Sequence, residues 1–279
     1  RIQHGFRVTI QGDAALMPVS DSTPKLETRW SRVDTFERAR SRGLSRLHER
    51  QGIGTQGERS LHVILKYWID PDECHHEVML GLGKMVADVF DGRRVFEIQT
   101  RNFNTLRPKL ERILPEFPVT VVFPLAREKR LIWVDPETGE TTKPRRSPKT
   151  GSVWDAFFEL YKIKMFLCHE CLTIKLVFLD IEEYRLQDGW SYDRKRGSHR
   201  MERIPYALVE TVDLITPADF AALLPDDLPS EFTSADLAVV IHIPKNRASK
   251  ICNILYTIGA IIRTGKKANA YLYEKNAAE

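Results

Sequence analysis

The residues best placed to do chemistry lie between Glu77 and Thr100, EVMLGLGKMVADVFDGRRVFEIQT. Two carboxylates, Asp88 and Glu97, are separated by Asp91-Gly92, a dipeptide that favours a tight hairpin because glycine tolerates positive φ. Folding at that point brings the strand Lys84–Phe90 back along the strand Arg94–Thr100 and carries Asp88 toward Glu97. Gly81 and Gly83 mark an earlier turn, so the stretch reads as three short strands. Side chains alternate faces along a strand, so Glu97 and Gln99 point the same way, and Asp88 joins them if the register allows. Two carboxylates and an amide converging at strand ends offer hard oxygen ligands, suited to Mg²⁺ or Mn²⁺. The plain alternative is an exposed hairpin whose acids are solvated. A second group of candidate ligands, Cys74-His75-His76 with Cys168-His169-Glu170-Cys171, has only one close cysteine pair. A structural zinc site usually shows two. These residues are read instead as loop positions at strand entry.

Asp88 followed by Glu97-Ile98-Gln99 resembles the signature of the PD-(D/E)XK nuclease superfamily: an acid on one strand and E-x-K on the next, here with Gln99 in the lysine position. The superfamily often adds a glutamate on the preceding helix, and Glu58 is the candidate. The resemblance implies metal-dependent hydrolysis of DNA phosphodiesters, with Asp88 and Glu97 as metal ligands and Gln99 and Glu58 as further catalytic positions. The glutamine also leaves open a nuclease fold that binds DNA and has lost its chemistry.

The elements around the hairpin suit that resemblance. Leu61, Ile64, Leu65 and Trp68 recur at helical spacing, predicting a helix Glu58–Ile69 that ends at Asp70-Pro71. After the three strands, Phe103, Leu106, Leu110 and Ile113 predict another helix, Phe103–Leu114. Val119–Leu125 is an apolar run suited to a strand buried on both faces, and Leu131–Val134 reads as a further strand. The fold class expected is therefore α/β, a restriction-endonuclease-like αβββαβ core over 58–135. The chain also resembles an uncharacterised bacterial family that joins such a core to a C-terminal winged helix.

That C-terminal unit is expected over 216–279. Thr216-Pro217-Ala218-Asp219 opens a helix ending near Leu224, Thr233-Ser234-Ala235-Asp236 opens a second, and Pro244 starts a third, Lys245–Ile258, closed by Gly259. Thr264-Gly265-Lys266-Lys267 reads as the turn of a hairpin wing. From Pro244 to Lys267 there are six basic residues and no acidic one. Lys245, Arg247 and Lys250 would face a DNA groove, and Lys266 and Lys267 its phosphates. A unit that contacts protein instead is the competing reading.

The connecting region, 136–215, carries Lys143–Lys149, with four cations including Arg145 and Arg146. It suits either a phosphate-contacting loop or a plain linker. Helix Ser152–Tyr161 and strand Leu172–Leu179 follow, then a basic loop, Arg194-Lys195-Arg196, beside Trp190 and Tyr192. At the other end, 1–57 is expected as a basic arm, with Phe6–Ile10 suited to a strand and the seven arginines from Arg29 to Arg50 suited either to a basic peripheral helix or to an arm.

Composition sets the frame. The 279 residues are 42% hydrophobic and 29% charged, with a net charge of +4, as in a globular protein of about two domains. Four cysteines and no apolar run of ~18 residues predict a cytoplasmic protein with no membrane span. The chain begins at Arg1, which leaves its true start open. DNA is the expected partner, and homodimerisation for double-strand cleavage is left open.

Overall fold

The structure is a computed structural model that describes residues 29–50, 59–188 and 199–276. The expected strand Phe6–Ile10, the glycine joint at 52–57, Glu58 and the loop from Trp190 to Arg196 lie outside the described residues.

The fold is mixed α/β. Helices α1 (Arg29–Arg50) and α2 (Arg59–Ile69) precede three strands, β1 (His76–Met79), β2 (Val86–Phe90) and β3 (Val95–Ile98). Helix α3 (Arg107–Ile113), strands β4 (Val119–Val134) and β5 (Arg145–Arg146), and helix α4 (Phe157–Leu160) follow. Two long strands, β6 (Leu172–Leu186) and β7 (His199–Leu214), complete a seven-stranded sheet in the order β1-β2-β3-β4-β6-β7, with β5 added to β4. The meander β1-β2-β3 is antiparallel, β3-β4 and β4-β6 are parallel, and β6-β7 is antiparallel. The expected order of one helix, three strands, one helix and one strand is present.

Strand lengths differ from expectation. Val119–Leu125 and Leu131–Val134 form one 16-residue strand, and the run at Leu172 continues to Leu186. From Arg127 to Arg130 the β4 side chains are charged and half-buried or exposed, so hydropathy splits one strand into two. Main-chain pairing to β6 holds the segment extended to Val134↔Leu186, across a bulge between Ala126 and Glu128. Gly151 seals that bulge: its N–H donates to Ala126 O at 3.1 Å, and a Cβ would collide with that carbonyl. Gly151→Ala is expected to cost about 1–3 kcal/mol, read as a lower urea midpoint at unchanged slope.

Hydrophobic clusters cover both faces of the sheet, which explains the apolar β4 sequence. Phe36 of α1 and Leu61, Ile64 and Leu65 of α2 pack on Ile98, Val122, Val177 and Leu179. The basic α1 is therefore a packed helix over Phe36 and Ala39, with Arg38 and Arg42 exposed and Arg40 bonded to Pro205 O of β7. On the opposite face, Leu110 and Ile113 of α3 meet Val95, Val121, Phe123 and Leu176.

That second cluster continues into the C-terminal unit through Phe220, Phe232, Leu237, Ile251 and Leu255. The unit comprises α5 (Pro217–Ala221), β8 (Glu231–Phe232), α6 (Ser234–Val240), α7 (Lys245–Thr257) and the strands β9 (Ile261–Lys267) and β10 (Ala270–Lys275). Thr216 and Thr233 cap α5 and α6 through reciprocal bonds with Asp219 and Asp236. The hairpin turn falls at Ala268-Asn269 rather than at 264–267, since Lys267 pairs with Ala270 and Ala268 takes φ 54°. Arg263 lies 4.0 and 3.9 Å from the Tyr256 and Tyr271 ring centres, a stack that helps to fix the register against the turn propensity of Gly265. Lys266 and Lys267 are therefore exposed strand residues. Among the described residues, no helix is long and apolar enough to cross a membrane.

Candidate active site

Strands β2 and β3 pair at Val89↔Phe96 and Phe90↔Val95. Their connection has four residues rather than two. Asp91 Oδ1 accepts the N–H groups of Arg93 and Arg94 at 2.8 and 2.7 Å, and Gly92 takes φ 88°. The next cross-strand position would set Asp88 opposite Glu97. There the main-chain ladder gives way to a side chain, as Ile98 N–H donates to Asp88 Oδ2 at 2.7 Å. The strands thus end with both carboxyl groups brought together.

The two acids have different surroundings. Glu97 is 3% exposed, and its Oε2 accepts from Lys109 Nζ of α3 at 2.5 Å. Its Oε1 is buried, and among the described residues no well-aligned hydrogen bond reaches it. Burial, then the neighbouring Asp88 charge, pushes the Glu97 carboxyl up to about 7, against the opposing pull of Lys109. Asp88 is shifted in the other direction. Burial alone would raise it, but His62, the Ile98 N–H and Lys109 together hold it below the ordinary aspartate value. His62 Nε2, on α2, lies 3.2 Å from Asp88 Oδ2 without an aligned hydrogen bond. At neutral pH the pair therefore holds one firm negative charge and a second that is opposed by the first.

Gln99 is placed differently from expectation. Its Nε2 donates to Arg101 O at 2.6 Å, so the amide is engaged by the loop after β3. With His62, Arg101, Asn102 and Thr105 it lines an open cleft of about 360 Å³. The cation beside Glu97 is Lys109. Sequence reasoning missed both Lys109 and His62, although each left a trace. Lys109 interrupts the apolar stripe of α3 next to Leu110, and His62 follows Leu61 at the edge of the apolar face of α2.

The raised Glu97 value predicts a pH response. An unfolded glutamate titrates near 4.5, so folding favours the protonated form; that contribution is complete below about 4.5 and is lost as pH rises through about 7. Asp88, held low, titrates outside this window. His75, raised by its hydrogen bond to Asp70, moves stability in the same direction as Glu97, so a variant must separate the two. Between about pH 5 and 7.5 the metal-free wild type should lose more melting temperature than Glu97→Gln. Parallel curves would mean that Glu97 titrates normally.

The expected DNA-contacting residues fall in two other places. Lys245, Arg247 and Lys250 are all exposed on α7. Arg145 and Arg146 are exposed on β5, but Arg146 pairs with Glu128 at 3.0 Å, which offsets part of its charge. The ligands weighed for zinc do not assemble: among the described residues Cys74 and His75 cluster with Asp72, whereas Cys168 and Cys171 do not join them.

A family model described as a domain of unknown function (DUF8091) matches residues 59–215, more than half of the chain, and the chain belongs to that family. The matched segment contains His62, Asp88, Glu97 and Lys109 and ends just before α5. The chain is also similar to an uncharacterized protein of Treponema pallidum (strain Nichols), 28% identical over 186 residues, or 67% of this chain and 73% of the relative. No solved structure matches the chain.

Proposed function

We propose that the chain is a divalent-metal-dependent DNA endonuclease with a restriction-endonuclease-like αβββαβ core and a C-terminal winged helix. The observation that carries the reading is the Asp88–Glu97 pair at the end of the β2–β3 hairpin, with Glu97 buried, its Oε1 unpartnered among the described residues, and Lys109 alongside. A buried acceptor without a partner costs about 1–3 kcal/mol, so its retention is explained by a ligand that uses it.

These donors fit a hard cation. Both are carboxylate oxygens, and the mutual repulsion that raises Glu97 would be relieved by a divalent ion. Asp88 and Glu97 would hold Mg²⁺ or Mn²⁺, which supplies Lewis-acid polarisation of a phosphoryl oxygen and a more acidic water. Lys109 supplies the positive charge that Gln99 lacks. It screens the paired acids and presents a donor beside the place where phosphate charge would build. His62 lies beside Asp88 from α2, and Gln99, held by its bond to Arg101, lines the cleft. On the C-terminal unit, Lys245, Arg247 and Lys250 of α7 and Lys266 and Lys267 of β9 provide exposed cations for the DNA backbone. The four free thiols suit a reducing compartment, and we assign the protein to the cytoplasm.

Incubation with supercoiled plasmid tests the reading. Wild type should convert it to nicked or linear DNA with Mg²⁺ or Mn²⁺, with no conversion in chelator or by Asp88→Ala. Intact DNA binding with no conversion under any metal would favour a DNA-binding protein without chemistry, the reading that Gln99 in the lysine position supports.

A further inference from the structure

An exposed apolar patch lies away from the hairpin, on the segment that begins with α4. Phe158 is 49% exposed, Tyr161 36% and Met165 54%. Aromatic rings so open to water on a packed segment call for a binding role more than for a core role. Their surroundings are cationic. Lys250 Nζ, on α7, lies 5.0 Å from the Phe158 ring centre and 5.8 Å from that of Tyr161. Lys162 lies 5.5 Å from Phe158, and Lys164 lies 4.9 Å from Tyr161. Arg247 joins Lys250 and Phe158 in the lining of an adjoining cleft. The nearby acids are already engaged: Glu159 by Lys162 and the Phe103 N–H, and Asp155 by the Ser152 N–H.

Rings and ammonium groups together complement both halves of a nucleotide. Lysines resting over the rings hold them in water, and an arriving strand exchanges partners, with a base taking the ring face and a phosphate the ammonium. A paired duplex offers phosphates but no free base faces, so the rings would gain nothing from it. The position also suits a strand leaving the candidate cleft. Glu159 Oε2 accepts Phe103 N–H at 2.8 Å, and Phe103 follows Asn102 of the cleft lining.

We propose that Phe158 and Tyr161, with the exposed Lys250 and Arg247, form a stacking platform for unpaired nucleotides, so that the chain takes DNA with a single-stranded portion; Lys162, paired with Glu159, and Lys164, bonded to Asn253, flank it. The platform requires DNA binding but not cleavage, and its test in chelator separates it from the catalytic reading.

The test measures anisotropy of a labelled thymidine oligonucleotide of about 16 residues, and of a blunt duplex of equal length, at about 50 mM salt. Wild type should bind the single strand. Phe158→Ala/Tyr161→Ala should weaken that binding about tenfold or more and change duplex binding by less than about twofold. Phe158→Leu/Tyr161→Leu keeps apolar bulk and should lose the same affinity, whereas Phe158→Tyr/Tyr161→Phe keeps both rings and should retain it. No single-strand binding by wild type would overturn the platform. So would wild-type affinity in the leucine pair, or equal losses on single strand and duplex.

Discussion

Glu97→Ala is expected to reduce metal-dependent plasmid cleavage below detection while changing metal-free DNA affinity by no more than about twofold. The reasoning is local. Glu97 is the buried member of the carboxylate pair at the hairpin end, and its Oε1 has no partner among the described residues. The substitution removes a hard oxygen ligand, whereas the exposed cations of α7 and β9 remain in place. Lys109, whose side chain is 25% exposed, can turn to water once its partner is gone, so the fold should survive. The metal-free variant should even be the more stable above about pH 7, because the folded protein no longer has to ionise a buried carboxyl. Cleavage at the wild-type rate would show that this hairpin is not the active site.

The second large effect is expected at Lys109. Lys109→Met keeps the length and apolar stem of the side chain and removes its charge, and should slow single-turnover cleavage by about 10²–10³-fold at saturating metal, the usual cost of one electrostatic donor. Gln99→Ala should cost much less, because that amide bonds to the Arg101 carbonyl rather than to either acid. This reverses the expectation drawn from the E-x-Q spacing alone, in which Gln99 would be the third catalytic group. If Gln99→Ala proves more damaging than Lys109→Met, the third group would be on β3 and not on α3.

Much of this arrangement was legible in the sequence. The apolar stripes of α2 and α3, the glycines of the first turn, and the β-branched, largely apolar start of β4 fixed the order of the core, because each bears directly on burial. Asp88 and Glu97 were legible for a related reason: a hairpin with a turn between them leaves few registers. What escaped depended on contacts remote in sequence. Lys109 meets Glu97 because α3 packs over β3, and His62 meets Asp88 because α2 lies near the hairpin end. The charged stretch Arg127–Arg130 of β4 and the second half of β6 pair through the main chain, so hydropathy did not show that these strands run on. The turn at Ala268 was hidden because alanine seldom takes positive φ, whereas Gly265 nearby looked like the natural bend.

The central claim is that Asp88 and Glu97 hold one divalent cation between them, and titration of the full chain with Mn²⁺, followed by calorimetry or by loss of free-ion spin resonance, tests it most directly. Wild type should bind a single Mn²⁺ at this site, more tightly at about pH 8 than at about pH 6, because the Glu97 proton must leave. Asp88→Asn and Glu97→Gln, each nearly the same shape as the native side chain, should each weaken that binding by about 100-fold or more, since even outer-shell partners of a metal site cost 10–100-fold. Unchanged stoichiometry and affinity in both variants would contradict the claim.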